Sequence, residues 1–157
     1  RPDLAIHKFA KMIIKDEKIP VYGDGSTQRD YTYIDDIIQG IVKTAAYMEG
    51  KREQSAASGE NVQKSNSFST SLPPSIYEIL NLGESKTISL NLMIQTLEAT
   101  LNKKAKIERL PLQPGDVEKT YASIDKSRRL INYNPVFSFE RGIEFFVKWL
   151  RQSDYVS

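Results

Sequence analysis

Residues 23–36 constrain the fold most, because this one stretch contains a turn, an arginine and the start of a helix. The glycines at positions 23 and 25 are typical of a turn, and the β-rich run 31–34 after Arg29 predicts a strand. Asp35 is predicted to cap the helix that follows. A guanidinium held between a turn and a strand can form bidentate, charge-assisted bonds with phosphate. An ordinary surface connection has a similar composition, so the interpretation depends on motifs elsewhere in the chain.

The helix predicted from Asp35 has the clearest periodicity in the chain and is expected to end near Gly50. Its apolar positions fall on one face: Ile37, Ile38, Ile41, Val42, Ala45 and Met48. From 51 to 75 the composition changes to Ser, Asn, Gln and Gly, which predicts a mobile surface insertion. A buried strand is predicted over 76–83. The helix and this strand would both expose an apolar face if nothing else covered them.

Charge and composition exclude several classes of partner. The 157 residues carry 22 basic and 20 acidic side chains, a net charge of +2. This balance gives no indication of nucleic acid, because proteins that bind it concentrate positive charge on one face. The sequence has no cysteine, which excludes a disulfide framework and a thiolate metal site. No run reaches the roughly 20 apolar residues of a membrane span, so no membrane partner is expected.

The remaining segments predict further helices and short strands. They are a helix capped by Asp3, a strand over 19–22, a helix capped by Ser89, a strand over 105–110, a loop over 111–117, a short helix opened by Ser123 or Asp125, and a last helix capped by Ser138. Their order mixes α and β without a regular βαβ alternation. The predicted fold class is therefore α/β, a small mixed α+β lobe over residues 1–157.

Four motifs give the chain a resemblance to a known family. They are Arg-Pro-Asp at 1–3, the Gly-Asp-Gly and Arg-Asp-Tyr-Thr-Tyr-Ile-Asp-Asp stretch ending at 36, the run 77–83, and Gln-Pro-Gly-Asp-Val at 113–117. The chain resembles the C-terminal part of NAD-dependent sugar-nucleotide epimerases and dehydratases, which are extended short-chain dehydrogenase/reductases. The first and last motifs most resemble those of UDP-glucuronate 4-epimerases. The resemblance implies a longer parent protein whose Rossmann-type NAD-binding half is absent from this chain.

The same resemblance implies that a UDP-sugar binds around the turn. Arg29 would pair with its diphosphate, with Tyr31 beside the pair, because two phosphates require a permanent cation. The backbone around Val21 and Tyr22 would meet the edge of the uracil ring.

Three further site residues follow from the resemblance. Asp116 would accept a hydrogen bond from a ribose hydroxyl, although it could equally cap its loop, and Gln113 would stand nearby. Arg1 would lie near the sugar, where it could pair with a uronate carboxylate, or it could be a frayed terminal residue. Ser123 departs from the aspartate usual in the family, and since both residue types cap helices we expect little consequence.

The implied chemistry is transfer of a hydride from the sugar C4 to NAD, rotation of the 4-keto sugar and return of the hydride to its other face. The chain lacks the glycine-rich dinucleotide motif, and its Tyr47-x-x-x-Lys51 sequence is interpreted as a chance match at a helix end. This fragment alone is therefore expected to be inactive. The alternatives are a sugar-nucleotide 4,6-dehydratase, a UDP-glucose 4-epimerase or a non-catalytic binding module of the same fold. The parent is expected to be a cytoplasmic homodimer.

Overall fold

The computed structural model describes residues 4–58 and 77–153, with the side chains of 52–58 excepted. The helices in these ranges are α1 (Ala5–Ile14), α2 (Ile34–Ser58), α3 (Leu90–Leu101), α4 (Asp125–Ile131) and α5 (Phe139–Gln152). The strands are β1 (Lys18–Tyr22), β2 (Gln28–Arg29), β3 (Ile88–Ser89) and β4 (Lys106–Leu110). This mixture confirms the predicted α/β class.

Two small sheets organise the described residues. β1 and β4 pair in parallel, with Lys18 opposite Lys106 and Tyr22 opposite Leu110. β2 and β3 pair antiparallel, with Arg29 opposite Ile88. The strands predicted over 19–22 and 105–110 are thus confirmed to within a residue at their starts.

The larger hydrophobic cluster lies between α1, β1, α3 and α5. Its buried members are Phe9, Ala10, Ile13, Ile19, Val21, Met93, Ile94, Leu97, Leu101, Ile143, Val147 and Leu150. The caps predicted for two of these helices are confirmed, because the hydroxyl of Ser89 accepts from the N–H of Leu92 and that of Ser138 from the N–H of Arg141. A smaller cluster around Ile124, Ile131 and Tyr133 joins α4 to α2.

The strand predicted over 31–34 is wrong, because the extended pairing lies earlier, at β2. Asp30, between β2 and this run, fixes the chain to two other segments, because its carboxylate accepts from the backbone N–H groups of Glu84, Ser85 and Ala122. Asp35 is not the N-cap either, since α2 already begins at Ile34 and places Asp35 in its first turn.

α2 continues through Gly50, so the predicted helix end there is wrong. The eight residues after Gly50 are helical, and they include Lys, Arg, Glu, Gln and Ala, which are good helix formers. A glycine inside a helix costs only about 1 kcal/mol, which these neighbours can offset. The predicted insertion over 51–75 is therefore helical up to Ser58, and its remainder lies outside the described residues.

The predicted buried strand over 76–83 is also wrong. Residues 77–82 have no regular secondary structure, and Ile76 lies outside the described residues. The carbonyls of Asn81 and Gly83 accept hydrogen bonds from the hydroxyls of Ser127 and Tyr133, so side chains satisfy this backbone. Tyr77 is 80% exposed, which excludes it from the core.

Two helix starts differ from their predicted caps. Leu4 is the N-cap of α1 and makes no side-chain cap bond, while the predicted cap Asp3 lies outside the described residues. α4 begins at Asp125, one of the two alternatives, with Ile124 as its N-cap. Ser123 instead donates to the carboxylate of Asp125 at 3.4 Å.

One face of α2 exposes an apolar stripe, as the sequence predicted for the helix. The stripe consists of Ile34, Ile38, Ile41 and Val42, each 49–61% exposed. The opposite side of α2 is covered, because Asp36 and Gly40 are buried. Among the helices of residues 4–58 and 77–153, none is long and apolar enough to cross a bilayer.

Candidate functional site

The turn after β1 is fixed against the start of α3. Gly23 and Gly25 have φ of +69° and +80°, a left-handed conformation that side chains disfavour. A Cβ on Gly25 would lie 2.1 Å from Oδ1 of Asn91, so only glycine fits there. Asn91 in turn donates from its backbone to the carbonyl of Gly25 and from its amide to the carbonyl of Asp24. These bonds fix the turn against the first turn of α3.

A cavity of about 250 Å³ lies between this turn, α1 and the loop after β4. Its lining residues are Ala5, Lys8, Phe9, Pro20, Tyr22, Thr27, Arg29, Tyr31, Leu90 and Asp116. The lining combines two cations, one carboxylate and two phenols with apolar side chains. Such a mixture suits a ligand that has an anionic group beside a flat, partly apolar one.

Arg29 is held in this cavity by three hydrogen bonds. Its Nη1 donates to the carbonyl oxygens of Gln28 at 2.9 Å and Val117 at 2.6 Å. Its Nη2 donates to Oδ1 of Asp116 at 2.8 Å, which is also an ion pair. The two side chains are 31% and 36% exposed, so the pair is in contact with solvent at the cavity.

The loop 111–117 is anchored at both ends. The N–H of Gly23 donates to the carbonyl of Leu110 at 2.8 Å, where β4 ends. Beyond the loop, Gln28 donates to the carbonyl of Glu118 at 2.7 Å and accepts from the N–H of Thr120 at 3.1 Å. These bonds place Asp116 opposite Arg29, and a left-handed Gly115, with φ of +82°, precedes it.

Tyr31 lies against the ring of Phe139, with centroids 5.3 Å apart. Burial raises the pKa of its phenol, and the positive charge of Arg29 partly opposes this. The phenol therefore stays neutral beside the guanidinium and can act as a hydrogen-bond donor.

The structure brings together four of the seven site residues predicted from the sequence. Tyr22, Arg29, Tyr31 and Asp116 all line the cavity. Val21 does not line it, because its side chain is fully buried in the core and its backbone lies in the ladder with β4. 

Gln113 is exposed on the loop and does not line the cavity, although its carbonyl accepts from the N–H of Asp116 at 3.2 Å. Arg1 lies outside the described residues.

Sequence reasoning missed Lys8, which gives the cavity its second cation. The helical period places this lysine on the polar face of α1, a position that usually faces solvent. Its proximity to Arg29 depends on the packing of α1 over β1, which no local pattern reveals.

The Tyr-x-x-x-Lys match lies inside α2 and not at a helix end as predicted. Tyr47 packs against the cluster around Tyr133, and the ammonium of Lys51 lies 5.6 Å from the centre of its ring. Neither residue belongs to the cavity lining, which comes from α1, β1, β2, α3 and adjoining loops.

A protein family described as GDP-mannose 4,6 dehydratase matches residues 2–146 of the chain. Among curated proteins, a UDP-glucuronate 4-epimerase of Thermodesulfobacterium geofontis is 36% identical over 154 residues. That match covers 98% of this chain and 39% of the relative.

Solved structures have the same fold. The UDP-glucuronic acid 4-epimerase of Bacillus cereus, in complex with UDP-glucuronic acid and NAD, matches with a TM-score of 0.74 and 30% identity. It is matched over 97% of this chain and 41% of its own. An epimerase of Methanothermobacter thermautotrophicus gives a TM-score of 0.75 at 24% identity, over 97% of this chain and 38% of its own. The chain therefore spans about two fifths of the length of these relatives.

Proposed function

The chain belongs to the GDP-mannose 4,6 dehydratase family of sugar-nucleotide enzymes, and we propose that it is the UDP-sugar-binding part of an NAD-dependent UDP-glucuronate 4-epimerase. The observation that carries the proposal is the position of Arg29. Its guanidinium lies in a cavity with two tyrosines and a carboxylate, and its backbone belongs to the strand that follows the Gly-Asp-Gly turn.

Three parts of a UDP-sugar, the diphosphate, the ribose and the uracil, have candidate partners in the cavity. The diphosphate would bind the guanidinium of Arg29, with the ammonium of Lys8 as a second cation. A ribose hydroxyl would donate to the carboxylate of Asp116, which lies 2.8 Å from that guanidinium. The uracil ring would lie by Tyr22, where a flat apolar lining suits a base.

The remainder of the enzyme would come from an N-terminal half. The chain has no glycine-rich dinucleotide motif, so we assign none of its residues to NAD, which in the parent would accept and return the hydride of the sugar C4. Two observations support a second half that covers the cavity and the exposed face of α2. The cavity of about 250 Å³ is smaller than the usual 300–1,000 Å³ of a complete ligand site. The apolar stripe of α2 is also exposed.

The test is an assay of the protein expressed from its complete gene, with NAD and UDP-glucuronate. Formation of UDP-galacturonate, followed by anion-exchange chromatography, is the expected result. Loss of water from the sugar nucleotide would indicate a dehydratase, and turnover of UDP-glucose alone would indicate a UDP-glucose 4-epimerase. UDP binding without turnover of either sugar nucleotide would favour a non-catalytic binding module.

A further inference from the structure

We propose that Asp116 makes the Arg29 site selective for nucleotides over bare phosphates. The inference rests on the proposed function, because it concerns the same cavity. Its starting point is that Arg29 already has an anionic partner within the chain, the carboxylate of Asp116 at 2.8 Å.

The bonds of Arg29 limit what a phosphate can do. They occupy three of the five N–H donors of a guanidinium, two of them with backbone carbonyls and one with Asp116. The carbonyl of Gln28 belongs to β2, so the bond to it fixes the guanidinium beside the strand. A phosphate that approaches Nη2 must therefore displace Asp116 or share the guanidinium with it.

Either outcome is unfavourable for a ligand that has only phosphates. If the phosphate displaces Asp116, the carboxylate loses its charge-assisted bond. If both share the guanidinium, the carboxylate stays within a few ångströms of the phosphate, which is another anion. Because the pair is only about one third exposed, solvent screens this repulsion incompletely. The carboxylate of Asp116 thus competes with a phosphate for the guanidinium of Arg29.

A nucleotide offsets this cost with its ribose. Its ribose hydroxyls are donors that lie a short distance from the phosphates, so they can satisfy the carboxylate that the phosphates displace. Inorganic phosphate and pyrophosphate present only acceptors and negative charge at neutral pH. The same carboxylate therefore disfavours the bare anion and favours the anion attached to a ribose.

The position of Asp116 makes this exchange of partners feasible. Residues 111–120 are all exposed, and the loop is anchored at its two ends rather than along its length. Breaking the bond between Asp116 and Arg29 leaves both anchors intact. The carboxylate can then turn towards a ribose without unfolding the sheets.

The test measures two ligands, inorganic pyrophosphate and UDP, by titration calorimetry with the protein expressed from its complete gene. In Asp116→Asn the side chain keeps its shape and loses its charge. We expect pyrophosphate to bind about tenfold more tightly to this variant. UDP affinity should change less, because the gain at the phosphates is opposed by a weaker ribose contact, so the preference for UDP over pyrophosphate should fall.

Two further variants make the result specific. Asp116→Glu keeps the charge and should retain weak binding of pyrophosphate. Glu144→Gln removes one charge from an exposed position on α5 and should leave pyrophosphate binding unchanged. An unchanged or weaker pyrophosphate affinity in Asp116→Asn would overturn the inference, as would equal tightening in Glu144→Gln.

Failure of the proposed function looks different. It would appear as absence of UDP binding to the wild-type protein, or as UDP binding that does not depend on Arg29. UDP binding through Arg29, with pyrophosphate affinity unaffected by Asp116→Asn, would refute only the selectivity of Asp116. Thermal melting of each variant checks that all of them are folded.

Discussion

Arg29 donates a hydrogen bond of 2.8 Å to Asp116, 87 positions later in the chain. The contact joins the strand that follows the Gly-Asp-Gly turn to the loop that follows β4. Because both segments are anchored to their sheets, a cation and a carboxylate meet at one cavity in a defined orientation. The candidate site therefore depends on the fold as a whole and not on either motif alone.

Lys8→Ala should weaken UDP binding by about 0.5–1 kcal/mol, because an exposed ammonium near a phosphate contributes modestly and is screened by solvent. The measurement is UDP titration at low and high salt, and the loss should shrink as salt rises. Lys148→Ala on the exposed face of α5 is the matched control and should bind UDP as the wild type does. Equal losses in both variants would assign the effect to net charge.

Asp36→Ala should destabilise the protein by about 2–4 kcal/mol, because it leaves two N–H groups without their acceptor. The carboxylate of Asp36 is 1% exposed and accepts from Val136 and Phe137, both at 3.0 Å, which ties α2 to the segment before α5. Urea unfolding gives the free energy directly. Asp35→Ala at the exposed neighbouring position should cost under about 1 kcal/mol, and equal costs would refute the structural role of Asp36.

Gly83→Ala should destabilise the protein by about 1–3 kcal/mol through overpacking. A Cβ at this position would lie 2.7 Å from the Cβ of Ala122 and 3.1 Å from Oδ2 of Asp30. The Cβ of Ala122 is fixed by the backbone, and the carboxylate of Asp30 is held by three backbone N–H groups. Gly50→Ala has the opposite expected sign: no described atom lies within 4 Å of the added Cβ, so helix propensity alone should stabilise α2 by about 1 kcal/mol. Destabilisation by Gly50→Ala would contradict the continuous α2.

Tyr133→Phe should change how stability depends on alkaline pH. Burial, with the carboxylates of Asp36, Glu84 and Asp30, raises the pKa of Tyr133 to about 12. The unfolded chain loses this proton near its ordinary pKa of about 10, while the folded protein retains it, so stability falls between these values. 

The phenylalanine variant loses the hydrogen bond to the carbonyl of Gly83, at 3.1 Å, worth about 1 kcal/mol, but it lacks this pH dependence. The advantage of the wild type should therefore decrease as the pH rises from 10 to 12 in urea unfolding. A constant difference between the two proteins over that range would show that Tyr133 titrates as an exposed tyrosine does.

The sequence predicted the elements whose signals are local. Ser89 and Ser138 cap their helices as expected, because a hydroxyl followed by a periodic apolar face is sufficient to define a helix start. The strands β1 and β4 were also predicted, because the composition of a short run is a local signal as well. Predictions failed where tertiary bonds decide, at residues 31–34 and 77–82. Within the second run and just after it, the hydroxyls of Ser127 and Tyr133 donate to the carbonyls of Asn81 and Gly83, which a strand would have paired.

The candidate site was predictable in part. Motif order indicated Arg29 and Asp116, but their mutual ion pair was not foreseen, because residues 87 positions apart carry no local signal of contact. Lys8 was missed because its place in the periodicity of α1 is that of an ordinary surface lysine. For Val21 the resemblance implied a contact through the backbone only; the structure buries its side chain in the core and pairs the residue with β4.

The most direct test of the account is the affinity of UDP for Arg29→Ala, with the protein expressed from its complete gene. Loss of a charge-assisted pair should weaken binding by about 2 kcal/mol or more, roughly thirtyfold. Arg129→Ala on α4, an exposed arginine outside the cavity lining, should bind UDP as tightly as the wild type. An unchanged affinity in Arg29→Ala would contradict the assignment of this cavity to a UDP-sugar.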